Sequence, residues 1–196
     1  MAYHHGDLRE ALVDATRDEL SEHGPEGLSL RGVARRAGVS RSAPYHHFDG
    51  KSELLARVAE QGYRDLTATI EASVARADTD PEAHLTATGM GYIRFALADP
   101  PTFKLMFQRE YVDPSSDEAL REAADASFDQ LLQAIEAIHQ AHQLEGRSPI
   151  EDALLAWSTV HGFATLAVEG ALDWTEDDLE PLAETIAQRL TPLFAT

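Results

Sequence analysis

Apolar residues recur at three- and four-residue intervals along nearly the whole chain, and no run of four or more residues alternates apolar with polar. Such a period places one stripe of each segment on a buried helix face and leaves no half-buried strand from which to build a sheet. The expected fold class is all-α, with about nine helices. Leu8, Leu12, Ala15 and Leu20 mark a first helix, which Gly24 and Pro25 close. Ser29 stands where a cap is needed for a short second helix, LRGVARRA, and Gly38 ends it. Ser40 holds the same place before a third, RSAPYHHF, and Asp49 or Gly50 opens a fourth that runs to about residue 77. Asp80-Pro81 reads as cap plus first helical residue, and Pro100-Pro101 breaks that helix before TFKLMFQREY. After the turn-rich DPSSDEA, a helix carries Leu120, Phe128, Leu131, Leu132, Ile135 and Ile138. Ser148-Pro149-Ile150-Glu151 combines a capping box with Pro at the first helical position and opens a helix expected to reach Leu172. The last, LAETIAQRLTPLF, carries Pro192 as a late kink.

Charge is spread unevenly over the 196 residues, which hold 34 Asp and Glu against 16 Lys and Arg, a formal charge of −18. Residues 1–64 carry nine basic and ten acidic side chains, and residues 65–196 carry seven and twenty-four. Within the first part, residues 28–57 hold Arg31, Arg35, Arg36, Arg41, Lys51 and Arg57 against only Asp49 and Glu53. One short segment is thus a positive island in an acidic chain, the pattern of a protein that touches a polyanion with one small face. A solvated helical surface that happens to be basic would give the same count. No cysteine is present, which excludes disulfides and thiolate metal sites. MAYHHGDLREAL has neither the basic start nor the apolar core of a signal peptide, and no stretch nears the ~18–20 apolar residues of a membrane span. The expectation is a cytoplasmic protein with no membrane partner.

The second and third helices are only about seven residues each, too short to persist alone in water. Joined by GVS, they fit the helix-turn-helix unit, whose second helix enters the DNA major groove and offers its N-terminal residues to base edges. Arg41, Ser42, Tyr45 and His46 occupy that helix here. Arginine suits guanine O6 and N7, while Ser, Tyr and His bond bases or phosphates. Lys51 lies at the start of the fourth helix, where a phosphate is favoured, and Ser29 is placed to donate to another.

The stretch LSLRGVARRAGVSRSAPYHHFDGKSELLARV resembles the TetR family of bacterial transcriptional regulators through AGVS, Tyr45-x-x-Phe48 and Lys51. YHHGDLREAL, YIRFALADPPTFKLMF and WSTVHGFATLAVEGAL are similar to the subgroup whose C-terminal domain carries Trp-x-x-x-His-Gly, here Trp157, His161 and Gly162. The resemblance implies a DNA-binding domain over residues 1–50, a connecting fourth helix over about 50–77, and a ligand-binding and dimerisation domain over 78–196. It further implies a homodimer paired through its last two helices, a palindromic operator in double-stranded DNA, a small-molecule effector, and repression that the effector releases. Pro44 departs from the family pattern, and its missing N–H costs a hydrogen bond that tightens or kinks the third helix.

Other residues admit more than one reading. His4-His5 with Asp7, and His46-His47, suggest a metal, but adjacent helical residues diverge by about 100° and chelate poorly, so no metal is expected. His46 and His47 then serve DNA contact or packing. Phe48 reads as core, and Tyr45 as a phosphate contact or a second core ring. Trp157 and His161 share a face with Leu154, Ala164, Val168 and Leu172. There His161 is either a core histidine with an internal partner or a ligand contact, and Phe95, Phe103, Phe107, Tyr111 and Phe128 either line the same pocket or fill the core. Ser158, Gly162, Leu166 and Gly170 allow close helix approach, within the subunit or across a dimer to which Ile186, Leu190 and Leu193 would add. Ser158 and His161 could be drawn as a nucleophile–base pair, but nucleophile elbow, HExxH and phosphate-binding loop are all missing. No enzyme and no cofactor are expected. A module that binds an acidic protein through the basic island is the remaining alternative.

Overall fold

The computed structural model describes the backbone of residues 5–171 and 176–195 and the side chains of residues 8–171 and 178–195. His4 and the side chains of His5, Asp7 and Leu172, named above, lie outside the described residues. Those described form eight α-helices and three short 3-10 turns, with no strand. The helices are α1 (His5–Gly27), α2 (Leu30–Arg36), α3 (Lys51–Val74), α4 (Pro81–Ala98), α5 (Pro100–Phe107), α6 (Glu118–His142), α7 (Pro149–Val168) and α8 (Glu176–Leu190). None is long and apolar enough to cross a membrane. Two compact units result: Met1–Tyr63 with Pro101–Ala124, and Arg64–Pro100 with Asp125–Thr196.

In the first unit, the helix of α1 is broken at Gly24 (φ 68°, ψ 175°), and Pro25 sits in the single turn beyond it. A β-carbon strongly disfavours that positive φ, so the glycine sets where the helix turns away. Ser29 caps α2 by accepting the Gly32 N–H at 3.1 Å. At the other end Gly38 (φ 69°) lets the Val39 N–H reach the Ala34 carbonyl at 3.0 Å and its own N–H reach that of Arg35 at 3.2 Å. Both bonds of a Schellman motif are made.

The expected third helix over residues 41–48 is not an α-helix. Only Pro44–His46 is helical, and that turn is 3-10. Proline lacks the N–H that would reach Ser40, so the Ser40 carbonyl takes the Ala43 N–H instead, at 3.0 Å. The same i→i+3 step continues from Tyr45 to Ser42, His46 to Ala43 and His47 to Pro44. Ser40 does not cap; its hydroxyl pairs with that of Ser42 at 3.1 Å. Gly50, rather than Asp49, supplies the carbonyl that starts α3, and Glu53 reaches back to the Asp49 N–H at 2.6 Å.

In the second unit, Asp80 caps α4 through the Ala83 N–H at 2.9 Å, with Pro81 in the first turn as expected. The capping box at Ser148 does not form: Pro149 begins α7, yet the Ser148 side chain makes no capping bond. α7 stops at Val168 because Gly170 (φ 66°) turns the chain, and the Ala171 N–H closes on the Leu166 carbonyl at 3.0 Å. Gly170 is therefore a terminator and not part of the helix face assigned to it. Leu85, Ile135, Ile138, Ala153, Ala156 and Phe194 make a core against which Phe128, Leu131, Leu132 and Leu190 pack. Leu190 thus serves the subunit interior. Pro192 falls in a closing 3-10 turn, Thr191–Phe194.

Gly91 is the tightest point of α4: a β-carbon there would lie 2.7 Å from the Ile70 Cα, a backbone atom. Gly91→Ala should cost about 1–3 kcal/mol of stability, as overpacking does. Urea unfolding of both forms measures it; equal midpoints would mean that α3 and α4 do not approach this closely.

Candidate DNA-contacting surface and effector site

The reading elements of the first unit are held from beneath. Val33, Ala34, Pro44 and Phe48 are buried, as are Leu12, Leu20, Leu28, Leu54 and Leu55. The Arg9 guanidinium lies 5.0 Å above the Phe48 ring, a cation–π contact. Glu19, which is 3% exposed, accepts from Arg36 Nε at 3.0 Å, and Glu22 accepts from Arg36 Nη2 at 2.5 Å. That hydrogen bond from Arg36 holds the Glu22 carboxyl below the usual range. Arg57 pairs with Glu60 and Asp117. Burial pushes the Asp117 carboxyl up, but the Leu120 N–H and Arg57 outweigh it and keep it below the usual aspartate range.

Of the six cations in the positive island, Arg36 and Arg57 hydrogen-bond to carboxylates and Arg35 Nη2 stands 3.7 Å from Glu19. Arg31, Arg35, Arg41, Ser29, Ser42 and His46 are exposed, and Tyr45 is 58% exposed. His47 and Lys51 are half-buried, and the Lys51 ammonium donates to the Glu26 carbonyl at 3.0 Å. The alternatives for the two rings separate here: Phe48 is core, and Tyr45 points out. Glu19, Glu22 and His23 bring ligand-type atoms within 4.8 Å of one another, a grouping across turns of α1 that the sequence reading missed. Arg36 already occupies both carboxylates.

The aromatic residues expected at a ligand site fall into both units. Phe103 is buried and Phe107 half-buried in the first, where Phe107 meets Phe103 and Tyr63 edge-on at 5.3 and 6.1 Å between centroids. The Tyr63 hydroxyl donates to the Met106 carbonyl at 3.1 Å, and burial pushes its pKa up to about 12. Tyr111, half-buried, also belongs there.

In the second unit Phe95 is buried, while Phe128, Trp157 and His161 come together. Phe128 packs on Trp157 at 6.1 Å, and Trp157 on His161 at 5.6 Å. Their polar centre is Tyr92, which the sequence reading left out: its hydroxyl lies 2.7 Å from His161 Nδ1 and 3.4 Å from Trp157 Nε1. Burial holds the His161 pKa below 6.5 and favours the neutral ring. The Tyr92 hydroxyl then donates to Nδ1 while accepting from the indole N–H. Ser158 turns away, donating to the Leu154 carbonyl at 2.7 Å, so the nucleophile–base pair is not made. Trp157 and His161 are half-buried, whereas Leu154, one and two turns before them on the same helix, is exposed, together with Ile150, Leu155 and Leu166 of α7 and with Leu193.

A short capped helix, a tight turn and an outward-facing basic and aromatic segment define a helix-turn-helix DNA-binding protein. Residues 12–58 match the family described as bacterial regulatory proteins, tetR family, and residues 85–190 match the tetracyclin repressor-like C-terminal domain. The chain is 25% identical over 188 residues to the HTH-type transcriptional activator FasR of Mycolicibacterium smegmatis, covering 95% of this chain and 80% of FasR. A Rhodococcus sp. RHA1 structure described as a protein with unknown function superposes with a TM-score of 0.86 at 33% identity over the whole of both chains. FadR of Bacillus subtilis in complex with stearoyl-CoA shares the fold, with a TM-score of 0.76 at 16% identity over 93% of this chain and 97% of that one. The chain belongs to the TetR family of bacterial regulators: it is a DNA-binding transcriptional regulator and not an enzyme.

Two expectations follow. Arg36→Ala should lower the urea midpoint of unfolding by leaving Glu19 buried without its main partner, whereas Arg35→Ala, which removes only the 3.7 Å ion pair to Glu19, should lower it less. Equal effects would contradict the brace. For His161, a lowered folded pKa means that the unfolded chain binds the proton more readily, so its contribution is intact above about pH 6.5 and is lost as pH falls through the folded value. The stability difference between the wild type and His161→Gln should be constant from about pH 8 to 6.5 and shift against the wild type below that. A difference independent of pH down to about 5 would show that His161 is not held neutral.

Proposed function

We propose that the protein is a homodimeric repressor that binds a palindromic operator in double-stranded DNA and is released by a small-molecule effector. The observation that carries the reading is the division of the basic island. Arg36 and Arg57 hydrogen-bond to carboxylates of the fold and Arg35 stands 3.7 Å from Glu19, while Arg31, Arg35 and Arg41 with Ser29, Ser42, Tyr45 and His46 are exposed, a set suited to phosphates and base edges. Lys51 and His47 extend it at one edge. Residues 1–50 form the reading domain, α3 the connector, and residues 78–196 the effector and dimerisation domain.

The exposed apolar row of α7, Ile150, Leu154, Leu155 and Leu166, supports pairing with a second copy. Gly162 on the same helix has open space where a β-carbon would sit, and Ser158 is exposed, so a partner helix can come close. Twofold pairing sets two reading segments one DNA turn, about 34–36 Å, or a multiple of it apart. The effector site is the ring cluster of Phe128, Trp157, His161 and Tyr92, with Phe95 in the same unit. An apolar body with one hydrogen-bonding group fits such a lining. Stearoyl-CoA, held by a protein of the same fold, is a suitable first compound to try. The match to a tetracyclin repressor-like domain supports repression, whereas FasR is named an activator. The protein acts in the cytoplasm, where its operator lies.

Selection of the purified protein on random duplexes at about 0.15 M salt tests this reading, and a palindrome with half-sites at helical-turn spacing is expected. On that site Arg41→Ala should cost about 1–3 kcal/mol and relax preference at one position, while Lys51→Ala should weaken all sequences alike. The Lys51 change should also lower the salt slope by about one per subunit. Enrichment of no sequence would sink the regulator reading and favour binding to an acidic protein. Transcription assays on the selected site decide between repression and activation.

A further inference from the structure

Asp152, in the first turn of α7, carries a carboxylate almost wholly buried in the second unit. It lies 2.8 Å from His139 Nε2 of α6, 2.7 Å from Arg147 Nε and 3.2 Å from Arg147 Nη2. A buried carboxylate is tolerable only with partners on this scale. Arg147 does not stop at Asp152: its Nη2 also donates to the Leu193 carbonyl at 2.9 Å. One guanidinium, set in place by a buried anion, thereby grips the backbone of the closing 3-10 turn.

The rest of that turn is anchored around Leu193. Phe194 is fully buried in the core, and the Thr191 hydroxyl bonds to the Ala187 carbonyl and to Thr86, both at 3.0 Å. Leu193 itself is 54% exposed. An apolar side chain turned outward between fixed neighbours is presented and not frayed. Ile150 and Leu154, also exposed, follow Arg147 by three and seven residues. The large apolar side chains exposed among the described residues, Tyr45 apart, all belong to α7 and to Leu193.

We propose that Arg147, oriented by Asp152, is the positioning residue that fixes Leu193 as part of the apolar face on which two copies of the chain pair. The inference rests on the homodimer reading given above. Arg147 touches the partner through Leu193 and not directly, so its effect on pairing must vanish once the Leu193 side chain is gone. A residue that merely stabilised the subunit would not behave in this way.

Sedimentation equilibrium of the full chain over a wide concentration range tests it, using wild type, Arg147→Met, Leu193→Ala and the double variant, with circular dichroism to confirm folding. Each single change should raise the dimer Kd about tenfold, and the double change should also raise it about tenfold and not about a hundredfold. Should Arg147→Met fail to fold, Arg147→Lys keeps a cation beside Asp152 yet cannot span both acceptors, and it carries the same cycle. A Kd for the Arg147 variant within about twofold of wild type, or additive losses in the double variant, would overturn the proposal while leaving the homodimer standing. A wild-type chain that stays monomeric at every concentration would overturn the homodimer itself, and the role of Arg147 with it.

Discussion

A seven-residue helix and a single 3-10 turn cannot hold themselves together in water, so the reading elements persist only through what lies beneath them. Val33 and Ala34 from α2, Pro44 and Phe48 from the turn, and Leu54 and Leu55 from α3 are all removed from solvent. Full burial of a side chain such as Phe48 is worth about 1.5–3 kcal/mol, comparable to what the element forfeits by making so few backbone bonds. Arg9 above the Phe48 ring and Glu19 on Arg36 add polar fixings at the rim of that apolar seat. Everything the unit offers outward depends on this seat, because each side chain that leaves it, Arg41, Ser42, Tyr45 or His46, is aimed by a neighbour that stays in.

The same economy governs charge. An acidic chain that must meet a polyanion has few cations to spare, and the structure employs two of those in its basic segment internally. Arg36 joins α2 to α1 through Glu19 and Glu22, and Arg57 joins α3 to Asp117, which also caps α6 through the Leu120 N–H. Arg35 and Arg36 are both exposed, yet of the two it is Arg36 that makes the hydrogen bonds to Glu19 and Glu22, so partners, more than count, distinguish the cations. A formal charge of −17 on residues 65–196 adds a repulsive term that disfavours any approach in which that part faces DNA.

Local chemistry was legible in the sequence, and long-range chemistry was not. The caps at Ser29 and Asp80 and the stop at Gly38 depend on residues within a few positions of each other, and α2 and α4 begin or end where those signals put them. Pro44 was visible as a departure, but its consequence was larger than a kink, because a segment this short has no second turn to absorb a missing N–H. The start of α7 at Pro149 was legible too, although Ser148 makes no capping bond, unlike Asp80, which caps with a proline in the same place. Tyr92 was invisible as the partner of His161, because 69 residues separate them and an aromatic on an apolar face reads as core. Leu154 shares the helix face of Trp157 and His161, as its spacing implies, but is exposed, because spacing tells which residues share a face and not how far along it the neighbours reach.

The apolar residues of α7 have a bearing on what an effector of the proposed kind must supply. Moving a two-state regulator from almost all bound to almost all released takes about 5.5 kcal/mol of differential affinity. The ring cluster of Phe128, Trp157, His161 and Tyr92 has one polar centre, and its Tyr92–His161 bond is already made without a ligand. A hydrogen bond gained to a ligand at that centre would net at most about 0.5–1.5 kcal/mol. The remainder must come from apolar surface buried in one state and not in the other. At roughly 25 cal/mol per Å², the missing 4–5 kcal/mol corresponds to about 160–200 Å² of hydrocarbon. A neutral imidazole is suited to this task, because a charged ring would add a desolvation cost to every approach of an apolar chain. The lowered pKa of His161 comes from the same partial burial that would favour the apolar part of an effector of the proposed kind.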